Sequence, residues 1–331
     1  MPDTSPGGIS VTITHLATQR GDTTRMLEDA REGLLASPKS MPSKYFYDAR
    51  GSRLFDDITR LPEYYLTRAE TEILEASAEA IIGAARPAEV VELGSGYSVK
   101  TKLIVDAMRL AGSGERYVPI DISENALLEA AQHLAAYYPW LHIDGYVGDF
   151  LTDLPEVPRT GRRLVTFLGT TVGNFDGTRR AEVLASIALL LEPGDSLLLG
   201  FDLVKDEATL LAAYDDAAGV TAAFNRNMLH VMNRELRADF PVDDFEYVAT
   251  WDAERACIDM GLRATRDMTV TIGALGETIS LAAGELIRNE VSCKFTRARF
   301  VTDLEAAGLA LAQWHTDRQD RYAVALATPA I

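Results

Sequence analysis

Apolar strand-like runs alternate with helical periods between residues 88 and 204, and this alternation restricts the fold more than any other feature of the chain. The runs are Val90–Leu93, Arg116–Ile122, Leu141–Tyr146, Arg163–Leu168 and Ser196–Val204. Helical periods start at Lys102 and cover Leu127–Ala136 and Thr178–Leu191. Repeated strand–helix–strand units predict a parallel sheet joined by right-handed crossovers. Ligands of such sheets bind beyond the carboxyl ends of the strands. The residues that follow each run are therefore the candidates for chemistry.

The first unit is the most informative. In Glu89-Val90-Val91-Glu92-Leu93-Gly94-Ser95-Gly96 an apolar strand runs into a glycine turn. Gly94 and Gly96 let the backbone turn sharply and approach a ligand closely. Val99 stands where the dinucleotide fingerprint needs a third glycine, and no Gly-Lys-Ser/Thr follows, so neither a dinucleotide site nor a P-loop is expected. The turn is either an ordinary one in an α/β core or a cradle for a nucleoside without pyrophosphate; S-adenosylmethionine fits the second case. Asp121 ends the next run, where an acid can accept ribose hydroxyls or serve as a helix N-cap, a role Ser123 could fill instead. Asp149-Phe150 follows the third run, and a carboxylate beside an aromatic suits an adenine.

Composition narrows the class. The 331 residues carry a net charge of −17, which argues against nucleic acid, because phosphate binding needs a basic face. The longest apolar run is broken at Glu192-Pro193-Gly194-Asp195, so no membrane span is expected. Met1–Gly8 lacks the features of a signal peptide. Cys257 and Cys293 are too few for a disulfide framework or a zinc site and fit a reducing compartment. A cytoplasmic protein without a nucleic-acid or membrane partner is expected.

The flanking segments read differently. Residues 1–19 read as a tail. Helices at Thr24–Ala36 and Ser52–Arg60 flank the aromatic cluster Lys44-Tyr45-Phe46-Tyr47-Asp48. Thr67-Arg68-Ala69-Glu70 has the form of a capping box, which sets Tyr64 and Tyr65 in the loop before a helix, either packed with wet hydroxyls or in a site. After two helices, Glu207–Ala217 and Val220–Leu236, come alternating segments at Glu246–Trp251, Ala256–Ala264, Met268–Ile272 and Glu277–Leu281, which predict antiparallel strands. In Glu290–Phe295 the strand period puts Glu290 and Ser292 on one face and Val291, Cys293 and Phe295 on the other. The polar face is open to two readings, solvent or pocket wall. A helix at Arg297–Gly308 and strands at Leu311–His315 and Tyr322–Ala327 close a seven-stranded sheet with an antiparallel last strand. Residues 20–68 and 205–294 are expected to form one domain, and 69–204 and 295–331 the other.

Several strings together are more specific than any glycine motif. Lys44-Tyr45-Phe46-Tyr47-Asp48, Leu61-Pro62-Glu63-Tyr64-Tyr65, Glu92-Leu93-Gly94-Ser95-Gly96, Val172-Gly173-Asn174, the run from Ala213 to Asn227, and Glu290-Val291-Ser292-Cys293-Lys294-Phe295 span nearly the whole chain. In these the chain resembles the L-histidine Nα-methyltransferases of ergothioneine biosynthesis. The resemblance implies a class I, Rossmann-like methyltransferase sheet with a second α+β substrate-binding domain, and a monomer without a metal. It implies S-adenosyl-L-methionine as cofactor, held by Tyr47, Gly94, Lys100, Asp121, Asp149, Phe150 and Gly169. It implies L-histidine and its mono- and dimethyl intermediates between the domains. The carboxylate and amine end would meet Asn174 and Tyr214, with Tyr64 nearby. Glu290 and Ser292 would hold the imidazole, with Met260 beside it. Tyr47 and Asn174 are the candidates closest to the reacting atoms. Leu66 and Gly261 depart from the family pattern next to the expected histidine pocket. The same fold could instead methylate the imidazole or another amino acid, or bind the cofactor as a non-catalytic regulator. No His or Lys motif suits a dedicated base, so proton loss to water or a tyrosine-linked water is expected.

Overall fold

The computed structural model describes residues 11–16, 22–96, 100–150 and 157–330. Its larger sheet holds, in order, β1 (Val11–His15), β5 (His142–Val147), β4 (Arg116–Asp121), β3 (Glu89–Leu93), β6 (Arg163–Phe167), β7 (Ser196–Asp202), β14 (Tyr322–Pro329) and β13 (Leu309–Thr316). The first six in that order are parallel, and β14 is antiparallel to both its neighbours. Helices α4 (Thr101–Ala111), α5 (Glu124–Tyr137) and α6 (Gly177–Ala188) make crossovers. With both faces covered, β3, β6 and β7 are buried along their whole length, which is why they read as continuous apolar runs.

The sheet has eight strands, not the seven expected. The additional one is β1, which lies in the segment read as a tail and pairs with β5 at the sheet edge. Gly145 on β5 makes room for it, since a Cβ there would lie 2.6 Å from Ile13 Cδ1. Five residues that pair on one side only carry too little periodicity to stand out from their polar surroundings.

Strand order reverses between β3 and β6. Such a reversal opens a crevice outside the carboxyl ends of the two strands. Gly94 follows β3 and Gly169 follows β6, so both lie at this crevice.

A second sheet holds β2 (Lys39–Ser40), β12 (Leu286–Cys293), β9 (Cys257–Ala264) and β8 (Phe245–Asp252), with β10 (Met268–Ile272) and β11 (Glu277–Leu281) as a separate hairpin. The chain leaving β12 attaches directly to the end of β7. Phe295 N donates to Asp202 O at 3.0 Å, and Val204 N donates to Phe295 O at 3.0 Å. This junction brings the polar face of β12 to the carboxyl edge of the larger sheet. Cys257 and Cys293 face each other in the β9–β12 register and are joined by a disulfide. Two cysteines, read as too few for a disulfide framework and as fitting a reducing compartment, thus form one bridge: directly opposed strand residues stand close enough to bond.

The capping box is also corrected. Helix α3 (Leu66–Ala85) begins one residue before Thr67, with Tyr65 at the N-cap and no side-chain cap. Thr67 is already helical, so it cannot play the capping role. Glu70 turns inward instead and is 1% exposed. Among the described residues no helix is long and apolar enough to cross a membrane.

Candidate active site

The crevice is built from turns that only small residues allow. Gly94, Gly96 and Gly169 have φ of +66°, +50° and +75°, values that side chains rarely adopt. A Cβ on Gly94 would meet nothing closer than Phe150, at 3.9 Å, so backbone is bare to the crevice there. Buried Glu92, at the end of β3, accepts hydrogen bonds from Thr101, at 2.6 Å, and from Tyr117. It thus ties the turn to the helix and strand that follow. Burial pushes its carboxyl pKa up.

Glu70 braces the second turn. It accepts from Gly169 N at 2.9 Å and from Tyr322 Oη at 2.9 Å, and it pairs with Lys100. Gly200 leaves the space for this carboxylate, because a Cβ there would lie 1.8 Å from Glu70 Oε1. The next residue, Thr170, holds φ +66°, an uncommon conformation for a β-branched residue. Its hydroxyl donates to Tyr322 at 3.1 Å, completing a chain from Thr170 through Tyr322 to Glu70.

Asp121 accepts from Gly96 N and from Ser123 N, both at 2.8 Å. Ser123 itself caps α5, so the helix-capping alternative for Asp121 does not hold. A carboxylate has about four acceptor sites, which leaves capacity for ribose hydroxyls. Burial raises its pKa. Phe150 stands edge-on to Phe167, with ring centroids 5.2 Å apart. Asp149 lies 3.8 Å from Arg25 of α1 (Asp22–Leu34). Lys100 is neutralised by Glu70, so these residues present no free basic group for a pyrophosphate. Bare glycine backbone, an acid and an aromatic fit a nucleoside with a sulfonium tail.

Tyr47 is positioned by a second set of contacts. Asp48 caps α2 (Ala49–Arg60) by accepting from Arg50 N and Gly51 N at 3.0 and 2.8 Å. It also accepts from Asn227 Nδ2 at 2.8 Å, and the same Asn227 nitrogen donates to Phe46 O at 3.1 Å. Phe224 packs edge-on against Tyr47, at 5.4 Å between centroids. Two sequence strings almost 180 residues apart therefore meet: the helix α8 (Val220–Glu235) carries the residues that hold the Tyr47 loop.

The polar face of β12 forms the other end. Glu290 and Met260 are register partners on β12 and β9, so their side chains share a face. Gly261 points the other way. A Cβ there would lie 2.8 Å from Ile287 O, so its small size serves strand packing and does not enlarge the pocket. Ser292 Oγ lies 2.8 Å from Tyr214 Oη, and the Tyr64 and Tyr214 rings meet edge-on at 6.2 Å. Leu66 is buried at the start of α3. Asn174 is half-buried and ends a 3₁₀ turn, Thr171–Asn174, packed on β12. Gly173 allows that packing, because a Cβ would lie 2.7 Å from Cys293 O. Gly173→Ala is expected to cost roughly 1–3 kcal/mol by overpacking; a chemical denaturation curve that matches wild type would contradict this.

Glu290 is the electrostatic centre of this end. Burial pushes its carboxyl up to about 7, against the pull of Lys294. Burial also holds the phenols of Tyr47, Tyr64, Tyr214 and Tyr247 well above their usual range, and the charge of Glu290 raises each further. Asp121 acts on Tyr47 as well. Tyr47 is thus close enough to both acids for the charge of each to raise its pKa further. A carboxyl raised on folding adds stability that is full below its unfolded pKa and lost as pH rises through the folded one. Relative to wild type, Glu290→Gln should therefore gain roughly 2–3 kcal/mol of unfolding free energy between pH 5 and pH 8. Denaturation at the two pH values checks this, and an unchanged difference would contradict it.

Sequence reasoning missed one cluster. Lys294 continues the face of Glu290 and Ser292 by the same period of two, so it was within reach. It is fully buried and bonded to Tyr214, Ser292 and Asp202. Tyr65 also points to Asp202, donating at 2.8–2.9 Å, while its neighbour Tyr64 faces the pocket side.

A doubly wound sheet with a glycine-lined crevice at its switch point and an acid at the end of β4 is the architecture of a class I S-adenosylmethionine-dependent methyltransferase. The family described as histidine-specific, S-adenosylmethionine-dependent methyltransferases matches residues 26–329. The chain is 52% identical over 299 residues to the histidine N-alpha-methyltransferase of Mycolicibacterium smegmatis, covering 90% of this chain and 93% of that one. It is 49% identical over 313 residues to the protein of the same name from Mycobacterium tuberculosis, covering 95% of each. It is 32% identical over 247 residues to ergothioneine biosynthesis protein 1 of Schizosaccharomyces pombe, covering 71% of this chain and 32% of that one. The chain belongs to the family of histidine-specific, S-adenosylmethionine-dependent methyltransferases.

Proposed function

We propose that this enzyme methylates the α-amine of L-histidine three times, through the mono- and dimethyl intermediates, to give hercynine and three S-adenosylhomocysteine. The observation that carries the proposal is the junction at Phe295, whose N–H donates to Asp202 O at 3.0 Å and whose O accepts from Val204 N at 3.0 Å, which brings the Glu290 and Ser292 face of β12 to the carboxyl edge of the larger sheet. A substrate held by Glu290 would place its other end toward the crevice, beside Tyr47.

The roles follow from position. Gly94, Lys100, Asp121, Asp149, Phe150, Gly169 and Tyr47 would hold S-adenosylmethionine. Glu290 would accept an imidazole N–H, Ser292 would meet the second ring nitrogen, and Met260 would pack beside the ring. Asn174 would meet the carboxylate and Tyr214 would accept an amine N–H, with Tyr64 nearby. Residues 20–68 and 205–294 would act as the substrate unit, and 69–204 with 295–331 as the cofactor unit. Both substrates are cytosolic metabolites, which supports a cytoplasmic enzyme, and a monomer is proposed.

The bound cofactor supplies an electrophilic methyl for in-line displacement at carbon. The amine attacks only with its lone pair free, so three transfers release three protons. Tyr47, Tyr64 and Tyr214 have phenols held well above their usual range, so all three stay neutral at physiological pH. They can accept an amine N–H and orient the lone pair, but they do not remove its proton, which leaves to water. The catalytic gain then rests on holding the amine about 3–3.5 Å from the methyl. Turnover across the twenty amino acids tests the proposal. Histidine should be the only good substrate; better turnover of another amino acid, or none at all, would overturn it.

A further inference from the structure

Lys294 is 0% exposed. Its Nζ donates to Tyr214 Oη at 2.7 Å and to Ser292 Oγ at 2.9 Å, and lies 3.1 Å from Asp202 Oδ2. An ammonium has three N–H groups and no acceptor, so this set uses all of them. Burial draws the Lys294 pKa down, while the Asp202 ion pair and the Glu290 charge hold its proton in place. Asp202 is in turn fixed by Lys205 at 2.7 Å and by Tyr65.

The count of protons has a consequence. Tyr214 and Ser292 both accept from Lys294, so each keeps its own O–H. Their oxygens are 2.8 Å apart, and one O–H fills that contact. The other has no acceptor within the cluster and must point outward. Either oxygen could donate across this contact; a phenol is a stronger acid than an alkanol, which favours Tyr214 as the donor and leaves the Ser292 proton for the pocket.

We propose that Lys294 is a positioning residue that fixes Ser292 as a hydrogen-bond donor, so that the pocket takes a ring with one N–H, given to Glu290, and one bare nitrogen, offered to Ser292. This rests on the imidazole reading of Glu290 and Ser292 above. It means that the enzyme selects the neutral imidazole in a single tautomer. Rings with an N–H but no second nitrogen leave the Ser292 proton unpaired, which such a site rejects strongly.

The test compares histidine with its pyrrol-2-yl and pyrrol-3-yl alanine analogues, each of which keeps one ring N–H and lacks the bare nitrogen. Dissociation constants are measured by calorimetry in the presence of S-adenosylhomocysteine. Wild type should prefer histidine over both analogues by about tenfold or more. In Lys294→Met this preference should fall several-fold, through weaker histidine binding, with cofactor affinity unchanged. Should the single variant be unstable, Lys294→Met with Asp202→Asn restores the buried charge balance and reads the same ratio. A general loss of binding that keeps the ratio, or a wild type that does not discriminate, would overturn the proposal. Glu290→Ala separates the two levels. If it leaves histidine affinity intact, the ring reading itself fails. If it weakens histidine while Lys294→Met keeps the ratio, only the role of Lys294 fails.

Discussion

Glu70→Ala is expected to lower the unfolding free energy by about 3–5 kcal/mol, because it leaves a lysine without its buried partner. Three donors depend on this carboxylate: the Gly169 amide, the Tyr322 hydroxyl and the Lys100 ammonium. Truncation strands all three and opens the space next to Gly200. Two of them, Gly169 and Lys100, belong to the proposed cofactor site, so the affinity for S-adenosylmethionine should fall by about tenfold or more, equivalent to the loss of one charged hydrogen bond. Chemical denaturation and calorimetry read the two effects separately. Near-wild-type stability with unchanged cofactor affinity would mean that Glu70 is a dispensable surface-type acid, contrary to its 1% exposure.

Glu290→Ala is expected to act on the other substrate. A hydrogen bond with one charged partner is worth about 1.5–3 kcal/mol, so kcat/KM for histidine should fall by about 10- to 150-fold. Cofactor affinity should stay within about twofold, since mutations at distant sites act independently. The bias against amino acids without an imidazole should relax, because the penalty for leaving a half-buried carboxylate unpaired disappears with the carboxylate. Steady-state kinetics with histidine, phenylalanine and leucine measure this. Collapse of cofactor binding with histidine preference intact would make Glu290 structural. A carboxyl already raised to about 7 by burial is costly to keep, which favours a role in recognition.

The parallel sheet was legible because β3, β6 and β7 are buried on both faces and so carry unbroken apolar runs. The crevice was legible because positive φ demands glycine at 94 and 96, while Gly169 entered through the family resemblance. The edge strand β1 was not, since five residues paired on one side resemble a polar tail. Glu70 was misread for a physical reason. Thr-x-x-Glu at a helix start predicts reciprocal capping only when the Thr lies outside the helix, and here Tyr65 takes that position. Whether the Glu290 face met solvent or a pocket could not be read from strand period, which gives sides but not neighbours. That depended on the junction between Phe295 and Asp202, where the second sheet meets the first. Lys294 shared the period of Glu290 and Ser292, but a lysine on a polar strand face reads as solvated. Only its burial against Asp202 assigns it to the site. The run from Ala213 to Asn227 stood out in the sequence, yet one purpose of its end, holding the Tyr47 loop through Asn227 and Phe224, appears only in three dimensions.

The most direct measurement is mass-resolved methylation of L-histidine with excess S-adenosylmethionine, followed by fragmentation of the product. Stepwise gain of three methyl groups, all on the α-nitrogen, is the predicted result. Methyl groups on the imidazole, arrest after one transfer, or no mass gain with cofactor bound would contradict it.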